Sequence, residues 1–486
     1  MPSKHKDKRR GKRANEAVVI PRTTSGLTVA IVGGGASGIA TACSVAARAR
    51  AAQADVRVVM IEAGRRLGSS ILRSGNGRCN FSHADIAAAA FNHPVFVSRA
   101  FDALERSFAE PCSDGEHSVG AMHENEVLRW FARLGLVWRE APQSGGLLYP
   151  FSNKAISVLE VLQAELDRLG VEVCCGVAVS DITQQDGRFQ LELRLTGEGK
   201  GIAGDAHSGK GTPNDGVLFA ADRVVIACGG RAQPALDSLS IFKGLDRVAP
   251  VPVLGPLRTE TTYLSGLDGI RARVRLSCAA KDFSEEGELL FRTYGVSGIV
   301  VFNASRFVET GDVIMLDFVP ERPLERLIEL LRKRACLLAS ERGAQPTYAE
   351  LLQGFFLPEV ALALIAFSAE ETGAGRLVAD SPVDEAGIET LARAIKGFAL
   401  TVVGPEDPKQ CQVIRGGISV DAIDTDTMEA RTLQGAHLVG EALDVDGPCG
   451  GYNLHWAWAS GLVAGAAIVR DLLEHSASDA SSSSGA

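Results

Sequence analysis

The sequence predicts an α/β fold in which a buried parallel sheet is interrupted by a smaller antiparallel β unit that carries helices. Two short apolar runs, Leu27–Val32 and 56–61, flank the Ala-rich, proline-free segment 36–52, which is the pattern of a β-α-β unit. Later segments of alternating polarity, such as Arg271–Cys278, indicate antiparallel strands. Helical spacing recurs between 324 and 396, so we expect a small helical piece inside the antiparallel unit.

Composition narrows the class of protein. With 486 residues, 46% of them hydrophobic, the chain is long enough for two or three domains with their own cores. A formal net charge of −9 disfavours nucleic acid as the main partner, because such affinity comes from clustered Lys and Arg. The ten cysteines form no CxxC pair, which favours reduced thiols in a cytoplasmic protein without a metal site.

Neither a membrane span nor an ordered chain end is predicted. The longest apolar candidate, 456–469, is interrupted by Ser460, Gly461 and Gly465 and is shorter than the roughly 18–20 residues that a span needs. Residues 1–26 carry a Lys/Arg run without a following apolar segment, which indicates a disordered basic tail; weak attachment to RNA or an anionic surface is the alternative. The Ser-rich residues 475–486 are also expected to be disordered.

A glycine-rich turn after the first strand predicts a dinucleotide site. Gly33, Gly35 and Gly38 satisfy GxGxxG: the first permits a tight turn, the second lets backbone N–H groups approach a pyrophosphate, and the third packs helix against strand. The next strand ends at Glu62, where a carboxylate accepts hydrogen bonds from the adenosine ribose. The predicted cofactor contacts here are Gly33, Gly35, Ala36, Ser37, Gly38, Glu62 and Ala63.

Two further glycine-rich runs are expected to hold the same cofactor. The run SGNGRCN allows close backbone approach to a flat ring, and its basic and amide side chains offer donors. The run GEALDVDGPCGGYN precedes the last helix, whose positive end would face a ring that gathers negative charge on reduction. The first run contributes Ser74, Gly75, Asn76, Gly77, Arg78, Cys79 and Asn80 to the predicted contacts.

Five segments resemble the BaiN/RdsA-like family of NAD(P)/FAD-dependent oxidoreductases, which includes aminoacetone-oxidase-type flavoproteins. They are GGGASG, SGNGRCN, YPFSNKA (149–155), GELLFRTYGVSG (287–298) and GEALDVDGPCGGYN. The resemblance implies a glutathione-reductase-like Rossmann FAD-binding domain, noncovalent FAD, and an inserted β-barrel-like domain with a small helical subdomain. The implied division is 27–245 and 416–474 for the FAD-binding domain, 246–321 and 398–415 for the barrel-like domain, and 322–397 for the helical insert.

The resemblance also implies roles for individual residues. Val179 is expected beside the adenine, Glu441 or Asp444 beside the ribityl chain, and the run from Gly450 to Asn453 at the pyrimidine edge of the flavin. The remaining predicted cofactor contacts are Cys228, Gly229, Gly230, Gly440, Gly451 and Tyr452. NAD(P)H is a possible transient electron donor.

The sequence departs from the family where substrate would be handled. Arg292-Thr293 stands in place of a usual Thr-His pair, Leu147 in place of an arginine, and Gly229 to Pro234 lacks a TGSTGDG-like run. Our catalytic candidates are Tyr294, Arg292 and Ser297, with Arg78 and Tyr149 also on the substrate side.

Each of these candidates has a structural alternative. The tyrosines could be buried aromatics and Arg292 a surface ion pair. Cys79 could be a reactive thiol or a small packed side chain. Cys174 and Cys175 are expected to be bystanders, and His123 and His455 are more typical of structural histidines than of bases.

The function expected from the motifs and the family resemblance is hydride transfer between flavin N5 and a small-molecule substrate. That substrate is expected to be an enone, an amine or an α-amino ketone. Two alternatives stay open. One is an FAD-binding redox sensor without turnover, and the other is a flavoprotein that acts on RNA.

Overall fold

The computed structural model describes residues 18–109, 125–141, 145–196, 216–236, 239–371 and 377–483. The described chain forms two compact units, the first within Met1–Pro250 and Arg415–Ala486, the second Val251–Ile414. His123, most of the predicted basic tail 1–26 and most of the polar stretch 196–216 lie outside the described residues.

The first unit contains the parallel sheet. Its elements before the second unit are β1 Leu27–Val32, α1 Ala36–Ala51, β2 Val56–Glu62, α2 Ser69–Arg73, β3 Ser82–His83, α3 Pro94–Ala109, α4 Glu126–Arg133, β4 Trp138–Glu140, β5 Leu147–Pro150, α5 Ala155–Leu169, β6 Glu172–Cys175, β7 Val177–Gln185, β8 Arg188–Leu195, β9 Val217–Ala221, β10 Arg223–Ile226, α6 Gln233–Leu236 and β11 Arg247–Val253.

The main sheet has the order β19-β20-β10-β1-β2-β6, where β19 is Glu429–Ala430 and β20 is Leu433–Leu438. Its pairs are parallel except β19 with β20, and β1 lies between β2 and β10. Val29, Ala30 and Ile31 of β1 are completely buried. The prediction from continuous apolar runs is therefore confirmed: helices and loops cover both faces of the central strands. Two three-stranded sheets, β3-β5-β4 and β7-β8-β9, complete this unit.

The second unit is a barrel with helices. Its elements are β12 Leu257–Thr259, β13 Arg271–Cys278, β14 Phe283–Arg292, β15 Gly295–Ser297, α7 Ile299–Ala304, β16 Val313–Asp317, α8 Leu324–Arg342, α9 Tyr348–Leu352, α10 Pro358–Glu371, α11 Glu385–Lys396 and β17 Phe398–Pro405. Six strands close in the order β12-β15-β14-β13-β16-β17. Leu276 and Phe398 of the barrel share one apolar core with Leu331 and Leu391 of the helices. The predicted fold class is confirmed.

The chain then completes the first unit with β18 Val413–Ile418, β19 Glu429–Ala430, β20 Leu433–Leu438 and α12 Tyr452–Ser483. Helix α12 extends past the predicted start of a disordered tail at 475, because adding a residue to an existing helix costs less than nucleating one. Its segment Tyr452–His475 is long and apolar enough to cross a membrane, which the sequence did not predict. However, 83% of an apolar 18-residue window in this segment is buried inside the protein. It is therefore typical of a core helix.

Small residues let α12 lie directly on α1. A Cβ at Gly461 would be 2.5 Å from the carbonyl oxygen of Ser37, and one at Gly465 would overlap Ser44 Cβ. The Ser44 hydroxyl donates to the carbonyl of Leu462 over 3.1 Å. The glycines that were expected to interrupt the apolar run are thus the points of closest helix contact.

We predict that Gly465→Val destabilises the protein by about 2 kcal/mol, because overpacking a tight contact typically costs about 1–3 kcal/mol. Ala466→Val, at the half-buried neighbouring position, is the matched control. Urea denaturation of both variants measures the difference. Equal midpoints would show that the α1–α12 contact tolerates a larger side chain.

Candidate functional site

The glycine turn has two positions that the protein itself requires to be glycine and one that it does not. Gly33 has φ 114°, and its N–H donates to the Ile61 carbonyl over 2.8 Å. A Cβ on Gly38 would overlap the carbonyl oxygen of Gly33. By contrast, the nearest atom to a Cβ on Gly35 is Ser70 Oγ, at 3.4 Å. The room beside Gly35, at the start of α1, fits a pyrophosphate approaching the helix N-terminus.

Glu62 joins this turn to the end of β2. Its Oε2 accepts a hydrogen bond from the Gly34 N–H over 2.7 Å, and Oε1 accepts one from the Gly64 N–H over 2.5 Å. The carboxylate is half-buried, so lone pairs remain for a ligand on its accessible side. Ala63, which follows, is exposed. This geometry is compatible with the ribose contact predicted for Glu62, and that contact stays a prediction.

The SGNGRCN run forms a tight loop with four residues of positive φ: Gly75, Asn76, Gly77 and Cys79 have φ of 55°, 55°, 80° and 59°. Asn80 is buried, and its Nδ2 donates to the carbonyls of Ser82 and Leu148 over 3.0 and 2.9 Å. The Asn80 amide therefore holds the loop against both β3 and β5. A ligand would meet the backbone and the exposed side chains of this loop instead.

Arg78 and Tyr149, both predicted on the substrate side, lie together. The Arg78 guanidinium carbon is 5.0 Å from the centre of the Tyr149 ring, and its Nε donates to the Gly75 carbonyl over 3.3 Å. Tyr149 is buried and Arg78 is exposed, so the guanidinium covers the ring. Burial raises the pKa of the Tyr149 hydroxyl, with the Arg78 charge opposing the rise. Tyr149 is thus protonated at neutral pH.

The predicted cysteines are packed thiols. Cys79 is completely buried, and burial raises its pKa to about 12. Burial likewise raises the pKa of Cys228 and Cys174 to about 12, and raises that of Cys175. A nucleophilic cysteine needs a thiolate, so this geometry favours the packed alternative for Cys79.

Two acidic residues of the GEALDVDGPCGGYN run, Asp444 and Asp446, bond to other segments of the protein. Both oxygens of the buried Asp444 are engaged: Oδ1 accepts from the Gly416 N–H over 2.9 Å, and Oδ2 pairs with His93 Nε2 at 2.9 Å. Asp446 is fully buried and forms a two-point ion pair with Arg415 at 2.6 and 3.0 Å.

Glu441 differs from these two because it faces the end of β10. Its Oε2 accepts from the Gly230 N–H over 3.0 Å, and burial raises its pKa. Of the two ribityl candidates, Glu441 is the one that lies beside the other predicted contacts Gly229 and Gly230.

The loop before α12 is held by Asn453. Its Oδ1 accepts from the Gly447 N–H over 2.9 Å, and its Nδ2 donates to the Gly447 carbonyl over 2.8 Å. Gly450 and Gly451 have φ of 118° and 94°, and a Cβ on Gly451 would overlap the Ser82 carbonyl oxygen. Helix α12 begins at Tyr452, so its positive end lies at this loop, as expected from the sequence.

The catalytic candidates lie in the second unit, on the hairpin of β14 and β15. A Cβ at Gly295 would be 2.6 Å from the Thr259 nitrogen, so glycine lets the hairpin lie against β12. Arg292 Nε is 3.6 Å from Asp268 Oδ1, with side chains 42% and 50% exposed, which makes the ion pair weak. Burial raises the pKa of the Tyr294 hydroxyl, while Arg292 opposes the rise. Ser297 is half-buried on β15.

Val179, His455 and His83 lie within strands or helices. Val179 is half-buried in β7, opposite Leu193. His455 is a structural histidine: it is buried, its Nδ1 is 2.9 Å from Ser82 Oγ, and burial lowers its pKa to about 3. His83, which the sequence analysis missed, lies beside Gly450; its closeness to Asn80 in the SGNGRCNFSH run was the available signal. Among the described residues, no group of three His, Cys, Asp or Glu side chains could hold a metal ion.

Residues 27–467 match the family of the HI0933-like protein Rossmann domain. The chain belongs to this family. The HI0933-like family assignment confirms the resemblance carried by the motifs, and with it a flavin-dependent oxidoreductase with an FAD-binding Rossmann fold.

Named relatives of this HI0933-like chain include two enzymes. It is 31% identical over 457 residues to the 3-dehydro-bile acid delta(4,6)-reductase of Clostridium scindens, covering 90% of this chain and 98% of that protein. It is 23% identical over 454 residues to the ribosomal RNA dihydrouridine synthase of Haemophilus influenzae, covering 90% and 98%. A solved flavoprotein/dehydrogenase from Cytophaga hutchinsonii is 13% identical, with TM-score 0.34, covering 92% of this chain and 79% of that one.

We predict that Gly35→Ala and Gly38→Ala separate cofactor binding from folding. Gly35→Ala should lower FAD affinity at least tenfold with little change in melting temperature, because only a ligand competes for the Cβ space. Gly38→Ala should lower the melting temperature as well, since its Cβ would overlap Gly33. Thermal melting of apoprotein and FAD titration by flavin fluorescence measure both quantities. Unchanged FAD affinity in Gly35→Ala would place the pyrophosphate elsewhere.

Proposed function

We propose that this protein is a reductase that uses noncovalently bound FAD to reduce the carbon–carbon double bond of an enone, with NAD(P)H as the electron donor. The end-to-end similarity to a 3-dehydro-bile acid delta(4,6)-reductase carries this proposal, since 31% identity extends over 98% of that protein. An amine or α-amino ketone oxidase is less supported, because the named relatives are a reductase and a synthase. A cytoplasmic location is part of this proposal, because the cysteine spacing of the sequence shows no CxxC pair.

Bound FAD would supply a hydride from N5 to the β-carbon of the enone. The residues of the first unit would hold that cofactor through the N-terminus of α1, the Glu62 carboxylate and the loop before α12. The glycines at these places remove side chains that would block a flat ring or a pyrophosphate. The α12 N-terminus would stabilise negative charge at the pyrimidine edge.

Reduction of an enone also needs a proton at the α-carbon, and we assign its delivery to Tyr294. Its hydroxyl keeps its proton because burial raises the pKa above the ordinary value of 10.0. Arg292, whose charge opposes the rise in the pKa of that hydroxyl, would stabilise the phenolate formed after transfer. The arrangement replaces the histidine that relatives usually carry in this segment.

An absorbance spectrum of the purified protein, followed by anaerobic NADPH and then NADH, tests the proposal. Flavin bands that bleach with nucleotide and return on addition of a 3-oxo-Δ4 steroid or cyclohexenone support an enone reductase. Bands that bleach but return only with oxygen, with peroxide release, would contradict it and favour an oxidase. Bands that respond to no donor would favour a redox sensor.

Action on RNA is the second candidate, motivated by the ribosomal RNA dihydrouridine synthase relative and the Lys/Arg run between Lys4 and Arg13. Its test uses the same protein with reduced flavin and unmodified ribosomal RNA as oxidant. Formation of dihydrouridine, with no enone turnover, would replace the enone proposal.

We predict that Tyr294→Phe lowers kcat for enone reduction about 100-fold, the lower range for loss of a general acid. The rate of flavin reduction by NADPH should stay within about twofold, because that step does not need this proton. Thr293→Ala, at the exposed neighbouring residue of the same turn, is the control. In the wild type, the acid form of Tyr294 persists as pH rises, so activity should decline only above pH 10. Equal kcat values in Tyr294→Phe and wild type would exclude Tyr294 as the proton donor.

A further inference from the structure

His83 adjoins the loop that leads into α12. It is the second residue of β3, where its Cα partner is Leu147 of β5. A Cβ placed on Gly450 would be 3.7 Å from His83 Cδ2 and 2.9 Å from Leu147 Cδ2. Cδ2 of the imidazole, the carbon bonded to Nε2, therefore lies beside the loop predicted to meet the pyrimidine edge of the flavin.

The imidazole is held in place by neighbours. A Cβ on Gly146 would be 2.9 Å from both Nδ1 and Nε2, so the ring packs directly on that glycine. The Tyr452 ring lies 5.2 Å from the imidazole, tilted by 42°, and its hydroxyl donates to the Asp85 carbonyl over 3.0 Å. These contacts leave little freedom for the ring to turn away from the loop.

The local backbone decides which nitrogen of His83 carries the proton. The Asp85 N–H donates to Nδ1 over 3.1 Å, and a backbone N–H can only donate, so Nδ1 is the acceptor. The proton of the neutral imidazole is therefore on Nε2. Within the described part of the chain, no protein group hydrogen-bonds to Nε2, and the side chain is half-buried. The result is an oriented N–H donor that the protein itself does not use.

We propose that His83 binds the flavin, donating a hydrogen bond from Nε2 to the N1/O2 edge of its pyrimidine ring. The inference rests on the proposed FAD-dependent function and on the placement of the Gly450–Asn453 loop at that edge. Negative charge gathers there on reduction, so an N–H donor binds the reduced ring more strongly than the oxidised ring. His83 thus favours the reduced cofactor, and its N–H adds a directed contact to the diffuse field of the α12 N-terminus.

Two matched variants separate a hydrogen-bond donor from a packing residue. In His83→Gln, the side-chain amide can place an N–H near the position of Nε2. In His83→Asn, the shorter amide can reach the Asp85 N–H but not the position of Nε2. Both changes keep a polar side chain of similar bulk on Gly146, and thermal melting and FAD content identify any variant that has lost its fold.

The readout is the reduction potential of the bound flavin, measured anaerobically against a reference dye. It reports the ratio of the affinities for reduced and oxidised FAD without using any substrate. In His83→Asn we expect that ratio to fall about tenfold, the loss of a hydrogen bond to a charged group, which equals about 30 mV for a two-electron couple. His83→Gln should retain the wild-type ratio within about threefold.

Each outcome decides the inference. A lower potential in His83→Asn alone supports a donor to the reduced ring. Unchanged potentials in both variants overturn it and leave His83 as a solvated side chain, and equal shifts in both overturn it in favour of packing. A wild-type protein that binds no FAD would instead refute the proposed function, a result visible before either variant is compared.

Discussion

The close packing of α12 on α1 is the constraint on which the first unit depends. Gly461 and Gly465 let the two helices approach to backbone contact distance. The helix that is so fixed carries Trp456 and Trp458, whose indole N–H groups donate to the carbonyls of Gly440 and Phe81 over 3.2 and 3.0 Å. The Gly440 N–H in turn donates to Ser460 Oγ over 3.0 Å. One buried helix therefore fixes the positions of two loops, at Phe81 and at Gly440, that are far apart in the sequence.

Polar groups of the first unit fall into two sets: those that hydrogen-bond within the protein and those that stay accessible to a ligand. Buried amides and carboxylates must find partners within the protein, and Asn80 and Asp444 do so by hydrogen bonds that fix their loops. The half-buried Asn453 fixes the loop before α12 in the same way. Backbone groups and a few accessible side chains are then left for a ligand, among them Glu62, Arg78 and His83. Because the bracing residues are themselves held at two or more points, the accessible groups are oriented before any ligand binds.

The second unit also presents accessible side chains on a backbone that is fixed by close packing. Its closed barrel leaves no free strand edge and presents the hairpin of β14 and β15, which Gly295 seats against β12. Arg292 lies where this chain departs from the family pattern, whereas Tyr294 begins the Tyr-Gly-x-Ser-Gly segment that the chain shares with the family. The two relatives are named for a bile acid and for ribosomal RNA, so proteins similar to this chain act on substrates of different chemistry.

The sequence by itself determined the local elements and the type of site. Continuous apolar runs mark β1 and β2, and the spacing of Gly33, Gly35 and Gly38 before Glu62 predicts the turn. Both signals depend on residues that are close together in the chain. Only the tertiary structure decided which polar atoms already have hydrogen-bond partners within the protein. A sequence shows that Asn80 can donate and Asp444 can accept, but their partners, Leu148 and Gly416, come from distant segments. For the same reason His83 was missed: only the packed chain shows that, among the described residues, none hydrogen-bonds to its Nε2. The apolar length of α12 was underestimated because only the packed chain shows that Gly461 and Gly465 are helix contact points.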